Sequence, residues 1–230
     1  MPLYFGKDLE AMSFAKNYHK WILSEFSPYL GNSVAEVGAG AGSVSTLLLN
    51  TNISSLVAFE PSRNMYPLLK KTLAGDKRAT VINDFFSRET AGKLFDSILY
   101  VNVLEHIEDD ASELANAREA LNAGGHLLIF VPALPWLYGE IDRQVGHIRR
   151  YMKKDLVALT HRAGFTVVMA RYFDIAGIIP WYINFVLLKN SIGSGSVSLY
   201  DRIVVPPMRL LEGLVPAPLG KNVLLVARKA

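Results

Sequence analysis

A chain of 230 residues, half of them hydrophobic, can bury one substantial core, so a single domain over 1–230 is expected and disorder is excluded. Lys and Arg (24) nearly balance Asp and Glu (21) and are scattered, which leaves no basic face for nucleic acid. The absence of cysteine rules out disulfides and thiolate metal ligands, and Met1–Glu10 lacks the basic-then-apolar pattern of a signal peptide, so a cytoplasmic location is expected.

Leu9, Met12, Ala15, His19, Ile22 and Phe26 recur at steps of three or four. That spacing predicts a helix ending near Ser27-Pro28, within an N-terminal helical segment over 1–30. Val34–Val37 reads as a short buried strand, Gly38–Gly42 as a turn and Ser43–Leu49 as a helix, the opening of a nucleotide-binding βαβ unit. The alternation continues with strand Ser55–Phe59, helix Ser62–Leu73, and strands Ala79–Ile82 and Phe95–Val101. A helix over Asp109–Leu121 is stopped by Asn122-Ala123-Gly124-Gly125 and followed by the strand His126–Val131. Strands alternating with helices predict a parallel sheet.

Beyond the fifth strand, Ala133–Tyr151 reads as a loop rich in aromatic and polar residues, the candidate substrate loop. Helix Lys153–Ala163, strand Phe165–Tyr172 and strand Asn222–Ala227 complete the pattern, with an apolar insertion over 174–220 between the last two. The charge-free stretch Ile175–Leu188 raises the mean hydropathy to +0.21. It is interrupted by Pro180 and Asn184 and is shorter than the roughly 20 apolar residues of a spanning helix.

Several residue groups carry chemistry. In Glu36-Val37-Gly38-Ala39-Gly40-Ala41-Gly42 the glycines let the backbone turn tightly and approach a ligand closely. Ser43 stands where a dinucleotide fingerprint wants its third glycine, which disfavours a nicotinamide oxidoreductase. Glu60, before Pro61 at the end of the second strand, is able to accept hydrogen bonds from both hydroxyls of a ribose, or is a plain exposed strand end. Asp84, followed by Phe85 and Phe86, closes the third strand, where a helix cap is the competing reading. After the fourth strand comes Asn102-Val103-Leu104-Glu105-His106.

In this order and at these separations, from about Tyr18 to the C-terminus, the motifs resemble those of the class I S-adenosylmethionine-dependent methyltransferase family. The resemblance implies a Rossmann-like three-layer α/β/α sandwich with a mostly parallel seven-stranded sheet, its last strand antiparallel, plus an N-terminal helical lid over 1–30 that folds over the cofactor and a helical insertion. It implies S-adenosyl-L-methionine as methyl donor and S-adenosyl-L-homocysteine as product. The cofactor-binding set it implies is Tyr18, Glu36, Gly38, Ala39, Gly40, Gly42, Glu60, Pro61, Asp84, Phe85, Phe86, Asn102, Val103 and Leu104. Within it Tyr18 would reach the methionine carboxylate, Glu60 the ribose and Asp84 the adenine amino group, with Phe85 or Phe86 walling the ring. A subset of related enzymes holds a divalent cation with a Glu-x-x-Glu-His pattern and a distant His. Here Asn102 replaces the first carboxylate beside Glu105, His106 and His147, so no metal is expected and Glu105 and His106 are read as loop-fixing residues.

Asp142–Tyr151 resembles a block found in many bacterial members of the family that act on small molecules. Methyl transfer from a sulfonium is an in-line displacement, so alignment of the acceptor dominates and a base is needed only where the acceptor carries a proton. O-methylation of a small, apolar or lipid-like acceptor is the leading expectation, with His147 as base and Tyr151 and Asp142 orienting it or the substrate. N- or C-methylation of a natural-product intermediate and a non-catalytic binding protein of the same fold are the alternatives. Arg149 and Arg150 read as a solvated pair ahead of an anion clamp. Trp181, Tyr182, Phe185, Leu187, Leu188, Met208, Leu210 and Leu211 would line an acceptor pocket, a homodimer interface or a shallow membrane contact.

Overall fold

The computed structural model describes residues 15–190 and 194–230; Leu9 and Met12 of the expected first helix lie outside them. Helix α1 (Lys16–Phe26) precedes seven strands: β1 (Ser33–Val37), β2 (Ser55–Phe59), β3 (Ala79–Ile82), β4 (Phe95–Val101), β5 (Leu121–Pro132), β6 (Phe165–Phe173) and β7 (Asn222–Lys229). They form one sheet in the order β3-β2-β1-β4-β5-β7-β6. The first five strands pair in parallel, whereas β7 runs antiparallel to both β5 and β6. The order reverses beside β1, and ligands of open α/β sheets bind in the crevice at the carboxyl ends of the strands at such a switch. Val37 stands level with Phe59 of β2 and Tyr100 of β4, so the loops that follow these three strands emerge side by side.

The inner strands β1, β2, β4, β5 and β7 are largely buried on both faces because helices cover both, whereas the edge strands β3 and β6 are partly exposed. Ile98 and Tyr100 of β4 with Leu127 and Ile129 of β5 enter one core, while Leu99, Leu128 and Phe130 enter the other, a strict alternation of period two. The first core is closed by α5 (Asp110–Ala120) and α7 (Lys153–Arg162) through Leu114, Ala117, Leu156 and Leu159. The second is closed by α1, α2 (Ser43–Leu49) and α3 (Tyr66–Leu73) through Trp21, Ile22, Leu48 and Leu69. Each fully buried side chain of this kind is worth roughly 1.5–3 kcal/mol relative to exposure, so the two cores hold the loops rigidly.

Four local departures from expectation have physical causes. Helix α3 begins at Tyr66, four residues late, because Pro67 fits only the first turn of a helix. The Asn122–Gly125 turn lies inside β5: Leu121 faces Phe95 and His126 faces Ser97, with the residues between them bulged out and Gly124 at φ 74°. A one-turn helix, α4 (Arg88–Ala91), follows β3, capped by Ser87, which accepts from the backbone of Thr90. The expected loop Ala133–Tyr151 contains helix α6 (Glu140–Val145), started by the Gly139 N–H donating to Asp142 at 2.9 Å and stopped by Gly146 at φ 84°.

The insertion folds as α8 (Ile178–Trp181), a π-helical turn (Tyr182–Leu187), α9 (Ser194–Ile203) and α10 (Val205–Leu214). Among the described residues no helix is long and apolar enough to cross a membrane. The shallow membrane contact expected of 174–220 is therefore corrected: the apolar stretch is broken into short turns, and Trp181 and Val205 pack inward against the body of the protein. Buried acids clamp it there. Asp201 accepts from the backbone of Asn17 (3.0 Å) and Tyr18 (2.8 Å), and Glu212 accepts from the backbone of Asp174 (3.1 Å) and Ile175 (2.8 Å).

Candidate active site

The glycine loop joins β1 to α2 in a conformation that side chains resist. Gly38 sits at φ 67°, and a Cβ there would stand 2.6 Å from Val103 Cγ2, so the loops after β1 and β4 touch only because the residue is glycine. The Ala39 N–H donates to Phe59 O at 2.9 Å, tying the loop to the end of β2, and Gly42 at φ 90° leads into α2. Glu60 is held in place by the backbone: Gly40 N–H donates to Oε2 and Ser62 N–H to Oε1, both at 2.8 Å. Each oxygen keeps a further lone pair, so two hydroxyls can still donate to a carboxylate whose aim is already set. Pro61 lies between these contacts, and Asn83 donates to the Glu60 carbonyl at 2.7 Å, fastening the loop after β3.

Glu36 is buried behind this loop and accepts from Ser45 Oγ at 2.5 Å. Burial pushes its carboxyl up to about 8; the Ser45 hydrogen bond opposes that shift and the neighbouring charge of Glu60 adds to it. Asp84 accepts from its neighbour Phe85 N–H at 2.8 Å at the exposed mouth of the site. Phe85 is 60% exposed, whereas Phe86 is buried and packs edge-on against Phe59 and Tyr100. Of the two rings, Phe85 alone is free to cover a ligand.

Asn102 adopts φ 54° just beyond β4, its N–H donating to Phe130 O at 2.8 Å, with Val103 against Gly38 and Leu104 in the core. It walls a cavity of about 90 Å³ with Tyr18, Asp142, His147, Arg150, Trp181 and Lys221 among its neighbours. A larger cavity of about 510 Å³ adjoins it, shares Tyr18, Trp181 and Lys221, and is closed by Phe185, Val197, Tyr200 and Asp201 of the insertion. The Tyr18 hydroxyl donates to Asn222 Oδ1 at 2.9 Å, and the Lys221 ammonium lies over the Tyr18, Trp181 and Tyr200 rings while pairing with Asp174 at 3.1 Å. Lys221 and Asn222 carry no motif in the sequence; their place between Gly220 and the body of β7, Lys221 just before the strand and Asn222 its first residue, was the sole signal.

Asp142 is the hub of the substrate loop. It accepts from Gly139 N–H, from His147 Nδ1 at 2.7 Å, and from Arg150 Nε and Nη2 at 2.9 and 3.1 Å. Burial raises its carboxyl, but the hydrogen bonds from His147 and Arg150 and the Arg150 charge outweigh that and leave it below the ordinary range. Arg149 and Arg150 are not the solvated pair expected. Arg150 is buried against Asp142, the Ala133 carbonyl and the Trp181 ring, and Arg149 binds Asp110 at 2.6 Å and the Glu108 carbonyl. Tyr151 lines neither cavity; its hydroxyl donates towards Asp110 at 2.8 Å and the Leu104 carbonyl at 3.2 Å, bracing the loop after β4, and burial with Asp110 drives the phenol up.

Glu105 is completely buried, and neither carboxylate oxygen has a hydrogen-bond partner. His147 Nε2 stands 3.6 Å from its Oε1, and the His106 ring packs edge-on to His147 with centroids 4.7 Å apart. Burial pushes the Glu105 carboxyl up to about 7, opposed by His147 and Arg150.

A family model described as "Methyltransferase domain" matches residues 13–170. None of the curated proteins matches the sequence. Among solved structures, the chain bound to the Trm112 methyltransferase activator of Haloferax volcanii is similar at TM-score 0.65 and 15% identity, over 96% of this chain and 94% of that one. A SAM-dependent methyltransferase from Archaeoglobus fulgidus is similar at TM-score 0.61 and 17% identity, over 93% and 94%. The [4+2]-cyclase SpnF is similar at TM-score 0.61 and 11% identity, over 93% and 81%. At such identities the likeness concerns the fold, and a cyclase among the neighbours illustrates that the fold does not dictate the reaction.

Proposed function

Because this chain belongs to the methyltransferase-domain family and is an S-adenosylmethionine-dependent methyltransferase, we propose that it methylates a hydroxyl oxygen on a small, largely apolar acceptor, in the manner of the bacterial small-molecule enzymes. The observation that carries this reading is the pair of joined cavities. The smaller opens beside Asn102 at the carboxyl end of β4; the larger, walled by Trp181, Phe185, Val197 and Tyr200, offers about 510 Å³ for the body of the acceptor. The cofactor set proposed is the glycine loop with Glu36, Glu60, Asp84 with its neighbour Phe85, and Asn102 to Leu104.

In this reading the acceptor oxygen attacks the methyl carbon as the carbon–sulfur bond breaks, the bonding pair stays on sulfur, and S-adenosylhomocysteine leaves. The hydroxyl proton passes to His147. Its Nδ1–H is held by Asp142, which leaves the lone pair on Nε2, the arrangement a general base requires. Tyr151 takes no part except through the loop it braces. The test is S-adenosylmethionine-dependent methylation of a panel of phenols, hydroxy acids and amines. Phenols or alcohols should be the substrates, and His147→Ala should lower turnover by roughly 10²–10⁴-fold with cofactor affinity unchanged. Methylation confined to amines, or equal turnover by both proteins, would remove this chemistry.

A further inference from the structure

Apart from His147, which the base role keeps neutral, the described residues lining the two cavities that carry a formal charge are Asp142, Arg150, Asp201 and Lys221. Three of them are engaged elsewhere. Asp142 and Arg150 neutralise each other within the wall, their side chains 0% and 1% exposed. Asp201 is buried, and its two oxygens accept from the Asn17 and Tyr18 N–H groups at the start of α1, where the positive end of the helix answers its charge. Lys221 is different. Its side chain is 19% exposed and lines both cavities, whereas its partner Asp174 is 1% exposed and lines neither. The pair turns its positive end to the ligand space and hides its negative end behind the wall.

We propose that Lys221 anchors the acceptor through a carboxylate, so that the acceptor class is an aromatic hydroxy acid. An ammonium has three N–H donors, and among the described residues Asp174 is the one oxygen partner, at 3.1 Å. Asp174 shares its charge with other donors, accepting also from Gly177 N–H at 3.0 Å and from the Tyr200 hydroxyl, so it does not quench the ammonium fully. The Tyr18, Trp181 and Tyr200 rings stand 5.2, 5.3 and 5.8 Å from Nζ and act on its charge through their faces, offering no oxygen acceptor there. One partly compensated ammonium matches a monoanion; a phosphate dianion calls for a cluster of guanidinium groups, and Arg150 is already neutralised.

The anchor is fixed before any ligand arrives. The Lys221 N–H donates to the Asp174 carbonyl at 3.1 Å, and the Lys221 carbonyl accepts from Ala133 N–H at 2.8 Å, which pins this residue between the ends of β5 and β6. Lys221 and His147 line the same cavity of about 90 Å³, so one small molecule can present its carboxylate to the first and its hydroxyl to the second. Trp181, Phe185 and Tyr200 supply flat apolar walls for an aromatic ring between or beyond these groups. Which group of the acid reacts rests on the O-methylation reading; the grip on its carboxylate does not.

The test is therefore a binding measurement that needs no turnover. The full chain, saturated with S-adenosylhomocysteine, is titrated calorimetrically with 4-hydroxybenzoate, 4-hydroxyphenylacetate and 4-hydroxycinnamate, each compared with its uncharged amide. At least one acid should bind about 10-fold or more tighter than its amide, the scale of a hydrogen bond between charged groups. Lys221→Met should abolish that preference and Lys221→Arg should keep most of it, with S-adenosylhomocysteine affinity within about twofold of wild type in both. Equal binding of acids and amides by the wild type, or a preference that survives in Lys221→Met, would overturn the anchor. A loss of S-adenosylhomocysteine affinity in Lys221→Met with the acid preference intact would overturn it too, by assigning the ammonium to the cofactor. Urea unfolding checks each variant, and Lys221→Gln replaces Lys221→Met if the latter does not fold. An acid bound with this preference but never methylated on oxygen would sink the O-methylation reading and leave the anchor standing; a neutral phenol methylated with no preference for acids would do the reverse.

Discussion

The two halves of the site are built differently. Around the glycine loop, Glu60 is aimed by N–H groups of Gly40 and Ser62, and the loops after β1 and β4 meet at Gly38 and Val103. These are backbone contacts dictated by strand ends and turns. Around the two cavities, position comes from side chains distant in sequence: Asp201 holds the start of α1, Glu212 holds the backbone of Asp174, and Lys221 sits among three aromatic rings from α1, α8 and α9. Turn chemistry writes the first half into short local motifs, whereas the second depends on which distant segments the packing brings together. A half of the first kind suits a constant ligand, and one of the second kind suits a variable one.

The largest expected effect lies in the backbone-built half. Glu60→Ala removes a carboxylate able to accept from both ribose hydroxyls, at roughly 1.5–3 kcal/mol for each hydrogen bond to a charged group. S-adenosylmethionine affinity measured by calorimetry should fall by about 10²-fold or more. Affinity within a few-fold of wild type would mean that the rigid half is merely a well-made turn, and the contrast would lose its functional meaning.

The next effect belongs to the side-chain-built half. His19 of α1 is buried near Asp201, and burial lowers its pKa from 6.5 to about 4, with Asp201 opposing. A folded-state pKa below the unfolded one means that the unfolded chain binds the proton first. The stability contributed by neutral His19 is therefore complete above about pH 6.5 and is lost as pH falls through 4, at a total of about 3 kcal/mol. Urea unfolding at pH 7 and pH 4.5 should show this loss in the wild type and a smaller one in His19→Gln. Identical losses would place the acid sensitivity elsewhere, His106 being the other histidine held near 4.

The same contrast governs what could be read from the chain. Strands β2, β3 and β4 fall where alternation and turn residues put them, because their apolar runs are bounded by polar or glycine-rich turns, and β2 and β4 are also covered on both faces. Glu60 and Asp84 are legible as strand-end acids for the same reason. Helix α6 was hidden, since its six residues are too few to display a helical period and its starting cap is made by Asp142, a residue that sequence assigned to catalysis. The burial of Arg150 was invisible because its partners, Asp142, Ala133 and Trp181, come from three separate segments. Neighbouring letters likewise gave no sign that Glu105 is left unpaired, as its surroundings form only when His147 folds back onto the turn after β4.

Tyr18 stands between the two halves and provides the smallest and sharpest test. Its hydroxyl has two possible acceptors: the methionine carboxylate of the cofactor, as the family resemblance implies, or Asn222 Oδ1, to which it donates at 2.9 Å. If the bond to Asn222 persists with cofactor bound, Tyr18→Phe leaves one buried acceptor short of a partner. The cost is then about 1–2 kcal/mol of stability in urea unfolding, with S-adenosylmethionine affinity unchanged to within about twofold. If the hydroxyl turns to the cofactor, affinity drops about tenfold or more instead. That outcome would make α1 part of the cofactor-binding half and move the boundary between the halves to Lys221, whose ammonium lies over the same ring.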